Sequence, residues 1–303
     1  MKQHATIATR VVEVEQVTPL VKRFRLAAAN GSPLPLFTGG SHVIVHMRNG
    51  DNTYRNAYSL MGSPDDTETW QIAVRREEHS KGGSAFMHER VEAGSVLEVS
   101  PPSNLFALAP GARSHMLIAG GIGITPFLSQ LHELQASGAD YTLHYACRSP
   151  EHAAFAAELL NGPHRERVRL HVDSLDQALD VRALIASLDA DTHVYVCGPA
   201  PLIDAVVEAA QQRGMPPQQV HREQFAATRA GGGAFTVVLA RSGQEIAVAE
   251  GVSILEAIER QSSIEVECLC REGVCGTCEA RIVEGEAVHC DQYLSTDEKA
   301  AQR

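Results

Sequence analysis

Near the C-terminus the chain reads CLCREGVCGTC, which spaces Cys270, Cys275 and Cys278 as C-x4-C-x2-C. That is the plant-type ligand spacing of a [2Fe–2S] cluster, which carries one electron at a time. Gly273 and Gly276 let the backbone turn tightly around a cluster and aim N–H groups at its sulfurs, and Thr277 adds a hydroxyl donor. A C-x2-C pair is also half of a zinc knuckle, but zinc ligands come as two close pairs, and the x4 gap is not their habit. A plant-type cluster takes a fourth cysteine well downstream. Cys290 follows too closely for that long gap, so the fourth ligand is expected beyond Arg303; the rival reading has Cys290 closing the site.

A second group of residues suits a dinucleotide. After HMLIAG come Gly120, Gly121, Ile122, Gly123, Ile124, Thr125 and Pro126, expected to lead straight into a helix. Glycines permit close backbone approach, and a helix N-terminus offers N–H groups and a positive dipole end to a pyrophosphate. Proline stands where the G-x-G-x-x-G fingerprint has its third glycine, so this is not that fingerprint, and such a turn also serves as a plain packing device. A second turn, Cys197-Gly198-Pro199, ends HVYVCG at the same carboxyl edge of the sheet, where ligands of open α/β sheets bind. There the Cys197 thiol is placed at the rim, facing a nicotinamide ring; the blander reading is a buried small hydrophobe. Arg148-Ser149 follows the second strand, YTLHYAC, where no acidic residue stands, and Arg148 suits an adenosine phosphate or ribose, so charge alone does not choose between NADH and NADPH.

The third group is Arg55-Asn56-Ala57-Tyr58-Ser59-Leu60, a guanidinium, an aromatic ring and a hydroxyl on one short stretch. FMN asks for those groups: a bidentate phosphate partner, a face to stack on and a donor near the flavin N5. Lys81-Gly82-Gly83-Ser84 opens a helix and forms a second phosphate-type nest with a cation beside it. Taken singly, Tyr58 reads as well as a barrel-wall aromatic and Lys81 as a solvated turn lysine. Ser59 and Cys197 are the candidate catalytic residues.

These groups need three kinds of scaffold. Residues 1–109 are strand-rich: VVEVEQV alternates, SHVIVHM is β-branched, QIAVRRE and SVLEVS continue, and together they imply a small antiparallel β-barrel. Over 112–225, the apolar runs HMLIAG, YTLHYAC, RVRLHV and HVYVCG alternate with amphipathic stretches ending at glycine, which implies an α/β domain with a parallel sheet. Residues 226–234 include Gly231-Gly232-Gly233 and read as a linker. Over 235–303, a hairpin (FTVVLA, QEIAVAE), a helix (SILEAIER), the cysteine loop and a strand (EARIVEG) outline a β-grasp ferredoxin domain.

Composition narrows the setting. The 303 residues carry a formal net charge of −11, which argues against nucleic acid or an anionic membrane as partner and suits a basic docking surface on a protein. No stretch approaches the roughly 18–20 apolar residues of a membrane span, and the N-terminus lacks the core of a signal peptide. Seven cysteines, four of them within 268–278, point to metal rather than disulfides and to a reducing, cytoplasmic setting.

In this order the motifs RNAYSL, KGGS, GGIGITP, CGP, HREQF and CLCREGVCGTC resemble the phthalate dioxygenase reductase family along essentially the whole chain. The resemblance implies FMN held by Arg55, Tyr58, Ser59 and Lys81 to Ser84, with Ile72, Ala73 and Val74 lining the ring and Phe225 stacking near it. It implies NADH at Gly120 to Thr125, Arg148, Ser149 and Cys197 to Pro199, and a cluster on Cys270, Cys275 and Cys278. One residue more stands between Arg55 and Tyr58 than in the commoner R-x-Y-S pattern, which leaves the role of Arg55 open. The implied path runs from NADH through FMN and the cluster to a Rieske-type oxygenase that docks transiently. Two alternatives remain at this stage: a stand-alone or cytochrome-directed NAD(P)H reductase, and a non-enzymatic iron–sulfur or zinc sensor module.

Overall fold

Alternating apolar residues form β1 (Ile7–Thr18) and β2 (Val21–Ala28), an antiparallel pair with register shifts at Val11/Glu13 and Gln16/Thr18. The first shift breaks strict alternation: after buried Val11, both Val12 and Glu13 are exposed. The computed structural model describes residues 6–50, 52–78, 82–225, 233–268, 271, 273, 276–291, 293–294 and 296–301. β3 (Ser41–Asn49), β4 (Asn52–Ser59), β5 (Trp70–Arg75), β6 (Val96–Val99) and the short β7 (Ser103–Asn104) complete the first sheet, in the order β4-β3-β6-β1-β2-β5 with β7 on β3. Met61, just past β4, pairs with Gln71 of β5 and draws the two ends of the sheet together. The interior is filled by Phe24, Leu26, Val45, Trp70 and Ile72, and α1 (Gly83–Arg90) adds Met87 to it.

The second sheet is wholly parallel, in the order β10-β9-β8-β11-β12. Its strands are β8 (Ser114–Gly120), β9 (Asp140–Cys147), β10 (Val168–Val172), β11 (Thr192–Cys197) and β12 (Val220–Glu223). α2 (Thr125–Ser137) and the short α3 (Ala156–Asn161) cover one face, where Phe127 and Leu131 meet Leu117, Leu143 and Tyr145. α4 (Val181–Ala186) and α5 (Ala200–Arg213) cover the other, where Ile203 and Val206 meet Ile118, Val194 and Val196. α2 and α5 each stop at a left-handed glycine, Gly138 and Gly214, as their sequences predict. From β8 the chain runs outward to β9 and β10, then returns to the far side of β8 as β11. The gap between β8 and β11 is therefore the topological switch point, and both glycine turns sit at its carboxyl edge.

The barrel and the parallel sheet form one compact unit, Met1–Glu223; Gln224–Arg303 is a second. In the second unit, β13 (Phe235–Leu239) and β14 (Gln244–Val248) form the expected hairpin. α6 (Ile254–Gln261) starts at Ser253, whose hydroxyl accepts from the Glu256 N–H at 3.2 Å, and packs Ala257 and Ile258 on Ile246 and Val248. Gln261 bonds both the N–H and the carbonyl of Ala247, which pins the helix to the hairpin. The strand expected over EARIVEG is not formed: residues 279–289 are irregular, and Val283 stands 71% exposed. Alternation alone does not make a strand where no neighbouring strand takes its ladder bonds. A short α7 (Thr296–Ala300) follows. The expected linker lies largely outside the described residues, and among those described no helix is long and apolar enough to cross a membrane.

Candidate functional site

The turns after β8 and β11 do not simply leave room for a ligand. A Cβ on Gly120 would lie 2.7 Å from Pro199 Cδ, and one on Gly198 would lie 3.0 Å from Gly120 Cα. A Cβ on Gly123 would land on the Cys197 carbonyl. Three of the glycines thus let the turns interlock, and only Gly121, at φ +54°, faces open space. Nor does the first turn lead straight into α2, as expected: a 3-10 turn over Gly121–Ile124 intervenes, closed by the Thr125 hydroxyl donating to the Ile122 carbonyl at 3.0 Å. Arg148 is exposed at the carboxyl edge of β9, and the Ser149 hydroxyl lies 2.6 Å from His152 Nδ1.

Cys197 is not at the rim. Strand parity turns residues 195 and 197 of β11 toward the face covered by α2, so Cys197 is 0% exposed and packs in that core. Its Sγ points at Glu223 Oε2, 3.9 Å away on neighbouring β12. Burial pushes the Cys197 thiol up, and pushes the Glu223 carboxyl up to about 8. On the same sheet, burial and a facing imidazole push His144 and His221 down to about 4. These shifts act at opposite ends of the pH scale. The folded state holds the Glu223 proton more tightly than the unfolded one, so its contribution is complete in acid and is lost as pH rises through about 8. The two histidines resist protonation when folded, so theirs is complete above about 6.5 and is lost toward 4. Glu223→Gln is expected to raise the unfolding midpoint relative to wild type at about pH 9 and leave it unchanged at about pH 4.5. A pH scan of the melting temperature checks this, and an equal offset at both ends would contradict it.

On β4, alternation separates residues that adjoin in sequence. Tyr54, Asn56 and Tyr58 share the half-buried face, whereas Arg55 and Ala57 lie on the exposed one. Arg55 therefore does not join Tyr58, which corrects the expected grouping. The N-terminus of α1 comes down on the face of Asn56: a Cβ on Gly82 would lie 2.5 Å from the Tyr54 hydroxyl, and one on Gly83 would collide with the Asn56 amide. Gly82, at φ +116°, and Gly83 are what allow this approach. The Ser84 hydroxyl accepts from the Glu77 N–H at 3.2 Å, and Lys81 lies outside the described residues. Two hydroxyls at the end of β4, Tyr58 Oη and Ser59 Oγ, which alternation sends to opposite sides of the strand, are buried with no hydrogen-bond partner among the described residues. Burial pushes the Tyr58 phenol far up its scale. Such orphaned groups fit a bound polar ring system. Ile72 and Val74 point into the barrel core and Ala73 to the opposite side, so the three do not line one surface as side chains. Phe225 lies in the second unit, which begins at Gln224, and is 43% exposed.

Of the three cysteines expected to hold a cluster, Cys270 and Cys275 lie outside the described residues, and Cys278 borders a concavity shared with Gly276, His289 and Tyr293. The loop bends as the glycines suggested: Gly273 and Gly276 sit at φ +69° and +73°. The Arg271 guanidinium donates to Glu259 of α6, fastening the loop to the helix. Three thiolates at this spacing suit iron.

Residues 237–303 match the family described as the 2Fe-2S iron-sulfur cluster binding domain. Residues 96–220 match that of the dimethylamine monooxygenase subunit DmmA-like, N-terminal domain. The chain is 54% identical over 303 residues to the carnitine monooxygenase reductase subunit of Escherichia coli (strain K12), covering 100% of this chain and 94% of that protein. The solved structure of phthalate dioxygenase reductase, described as modular for electron transfer from pyridine nucleotides to [2Fe-2S], matches with TM-score 0.81 at 35% identity over 97% of this chain and 92% of that one. The chain belongs to the phthalate dioxygenase reductase family. It is an oxidoreductase of the reductase-subunit class, with the expected three-part architecture of barrel, parallel α/β sheet and ferredoxin domain. A further relative, 43% identical over 295 residues (96% of this chain, 92% of that protein), is the heme-dependent oxidative N-demethylase beta subunit of Ectopseudomonas mendocina (strain ymp).

Some site features of this reductase are invisible in its motifs. Glu223 lies inside HREQF, yet only the register Cys197↔Glu223 reveals its thiol partner. Two stacked imidazole pairs, His144 with His171 and His193 with His221, arise the same way, each with ring nitrogens 3.0 Å apart across adjacent strands. A strand assignment combined with a β10-β9-β8-β11-β12 order would have found both.

Proposed function

We propose that this chain is the NADH-dependent reductase component of a Rieske-type oxygenase system, carrying FMN on residues 1–109, NADH on 112–225 and a [2Fe–2S] cluster on 235–303. The reading rests above all on the unpartnered, buried Tyr58 and Ser59 hydroxyls at the end of β4, close to the glycine approach of α1. FMN, when bound, supplies the conversion between a two-electron hydride donor and a one-electron acceptor. Everything else is positional. Tyr58 would offer its ring face, Ser59 a hydroxyl donor, and the N–H groups opening α1, with Asn56, a phosphate site. Gly121 and exposed Arg148 would meet the dinucleotide at the switch point, and buried Cys197 with half-buried Glu223 would back that site from within. Cys270, Cys275 and Cys278 would hold the cluster. No general acid or base is called for.

Cytoplasmic placement and transient docking to the oxygenase fit the thiol-rich, acidic composition, which also speaks against nucleic acid or membrane partners. The haem-dependent relative favours a second reading, electron delivery to a haem oxygenase. Flavin and iron are to be quantified on the purified protein, with its NADH-driven reduction of ferricyanide; a colourless protein inactive in that assay would sink the assignment. Coupled turnover with a Rieske or a haem oxygenase then separates the two partners.

Side-chain roles at the flavin site are separable. Asn56→Ala is expected to weaken FMN binding about tenfold, the worth of one hydrogen bond to a charged group. Arg55→Ala, on the other face, changes it less than about twofold by the same measure. Titration of the apoprotein with FMN by fluorescence quenching reads both; the reverse order would return the phosphate to Arg55.

A further inference from the structure

One buried hydroxyl joins the two candidate binding regions of the first unit. The Gly40 N–H donates to Ser129 Oγ at 3.1 Å, and Ser129 Oγ donates to the Pro126 carbonyl at 3.0 Å. Ser129 is 0% exposed. Pro126 lies in the first turn of α2, directly after the glycine turn at the switch point. Gly40 precedes β3, where Ser41 accepts from the Leu60 N–H at 2.8 Å and His42 and Val43 pair with Ser59 and Tyr58. The path from the flavin-side hydroxyls to the nucleotide turn thus crosses a single side chain.

Neighbouring bonds hold the same seam. The Gly39 N–H donates to Glu133 Oε2 at 2.7 Å, and Gln130 Nε2 donates to the Phe106 carbonyl at 2.6 Å. A Cβ on Gly39 would lie 2.8 Å from Gln130 Cα, so helix and loop touch backbone to backbone. A seam this close-packed leaves little room for one lobe to slide on the other.

We propose that Ser129, seconded by Glu133, is a positioning residue for hydride transfer: it fixes the nucleotide turn against the flavin strand without touching either cofactor. This rests on the NADH and FMN reading above. A misplacement of about 1 Å far from the chemistry can cost a hundredfold in rate, so the bridge has a large effect to exert.

The test uses the flavin-loaded, full-length protein and its Ser129→Ala, Glu133→Ala and Glu133→Gln variants. Hydrogen exchange of the Gly39 and Gly40 amides is read first and needs no activity. Both are expected to be protected in wild type; Gly40 loses protection in Ser129→Ala and Gly39 in Glu133→Ala, while Glu133→Gln, which keeps an acceptor, retains it. The limiting rate of flavin reduction at saturating NADH is then expected to fall at least about tenfold in Ser129→Ala, with FMN content and NADH affinity within about twofold. Glu133→Ala is expected to show a smaller loss that Glu133→Gln restores. An unchanged limiting rate despite lost amide protection would overturn the inference, as would a rate loss that merely follows lost flavin. If Ser129→Ala does not fold, the Glu133 pair carries the same comparison. Absence of flavin or of NADH-driven reduction in wild type would instead defeat the earlier reading, and the exchange data would still report on the bridge.

Discussion

Cys275→Ser is expected to abolish electron delivery to a one-electron protein acceptor while leaving NADH-driven flavin reduction and FMN content largely intact. The reasoning is chemical. A serine oxygen is a hard and weakly acidic donor, whereas plant-type clusters are held by four soft thiolates. Removing even an outer-shell partner of a metal ligand typically costs about ten- to a hundredfold in affinity or activity, so loss of a ligand should cost more than about a hundredfold in delivery. Apart from Phe225, the proposed flavin and nucleotide residues belong to the first compact unit and the cysteines to the second, so the substitution leaves the proposed hydride-transfer residues of the first unit unchanged. Iron content, visible absorbance and cytochrome c reduction measure the first outcome; ferricyanide reduction measures the second. Equal loss of both activities would mean that the hydride step and the cluster are not separable in the way proposed.

How far such a design can be read from the chain depends on what each motif encodes. β-branched runs such as SHVIVHM and the helix stops at Gly138 and Gly214 are local, and each predicted its element. The glycine turns also stood out, because few other reasons place three glycines at the end of a buried strand. Strand parity did not. Arg55, Asn56 and Tyr58 are neighbours in sequence; alternation puts the last two on one face, but which face turns inward is settled by the pairing of β4 with β3. Cys197 failed for the same reason: a thiol at a strand end reads as accessible until the helix covering that face is known. EARIVEG has the composition of a strand, but composition supplies no pairing partner. The Ser129 bridge joins residues 89 apart, and an isolated serine in an amphipathic helix carries no sign of it.

The interlocked turns make Gly123 the most sensitive position of the proposed nucleotide site. Gly123→Ala would drive a methyl into the Cys197 carbonyl, a backbone atom of a fully buried residue that has no rotamer to yield. Either the turn after β11 or that after β8 must move, and overpacking of this kind costs typically about 1–3 kcal/mol. Movement of either turn displaces the switch-point edge, so the KM for NADH is expected to rise about tenfold or more. Gly121→Ala is the control. Its φ of +54° strains an alanine by about 1–2 kcal/mol, but nothing lies within 4 Å of the added methyl. The interlock therefore survives. Measured on protein without nucleotide, the register of β11 and β12, read by amide exchange at Val196 and Cys197, should loosen in Gly123→Ala and stay as in wild type in Gly121→Ala. If both variants loosened it equally, strain within the turn rather than contact between turns would be what holds the switch point closed.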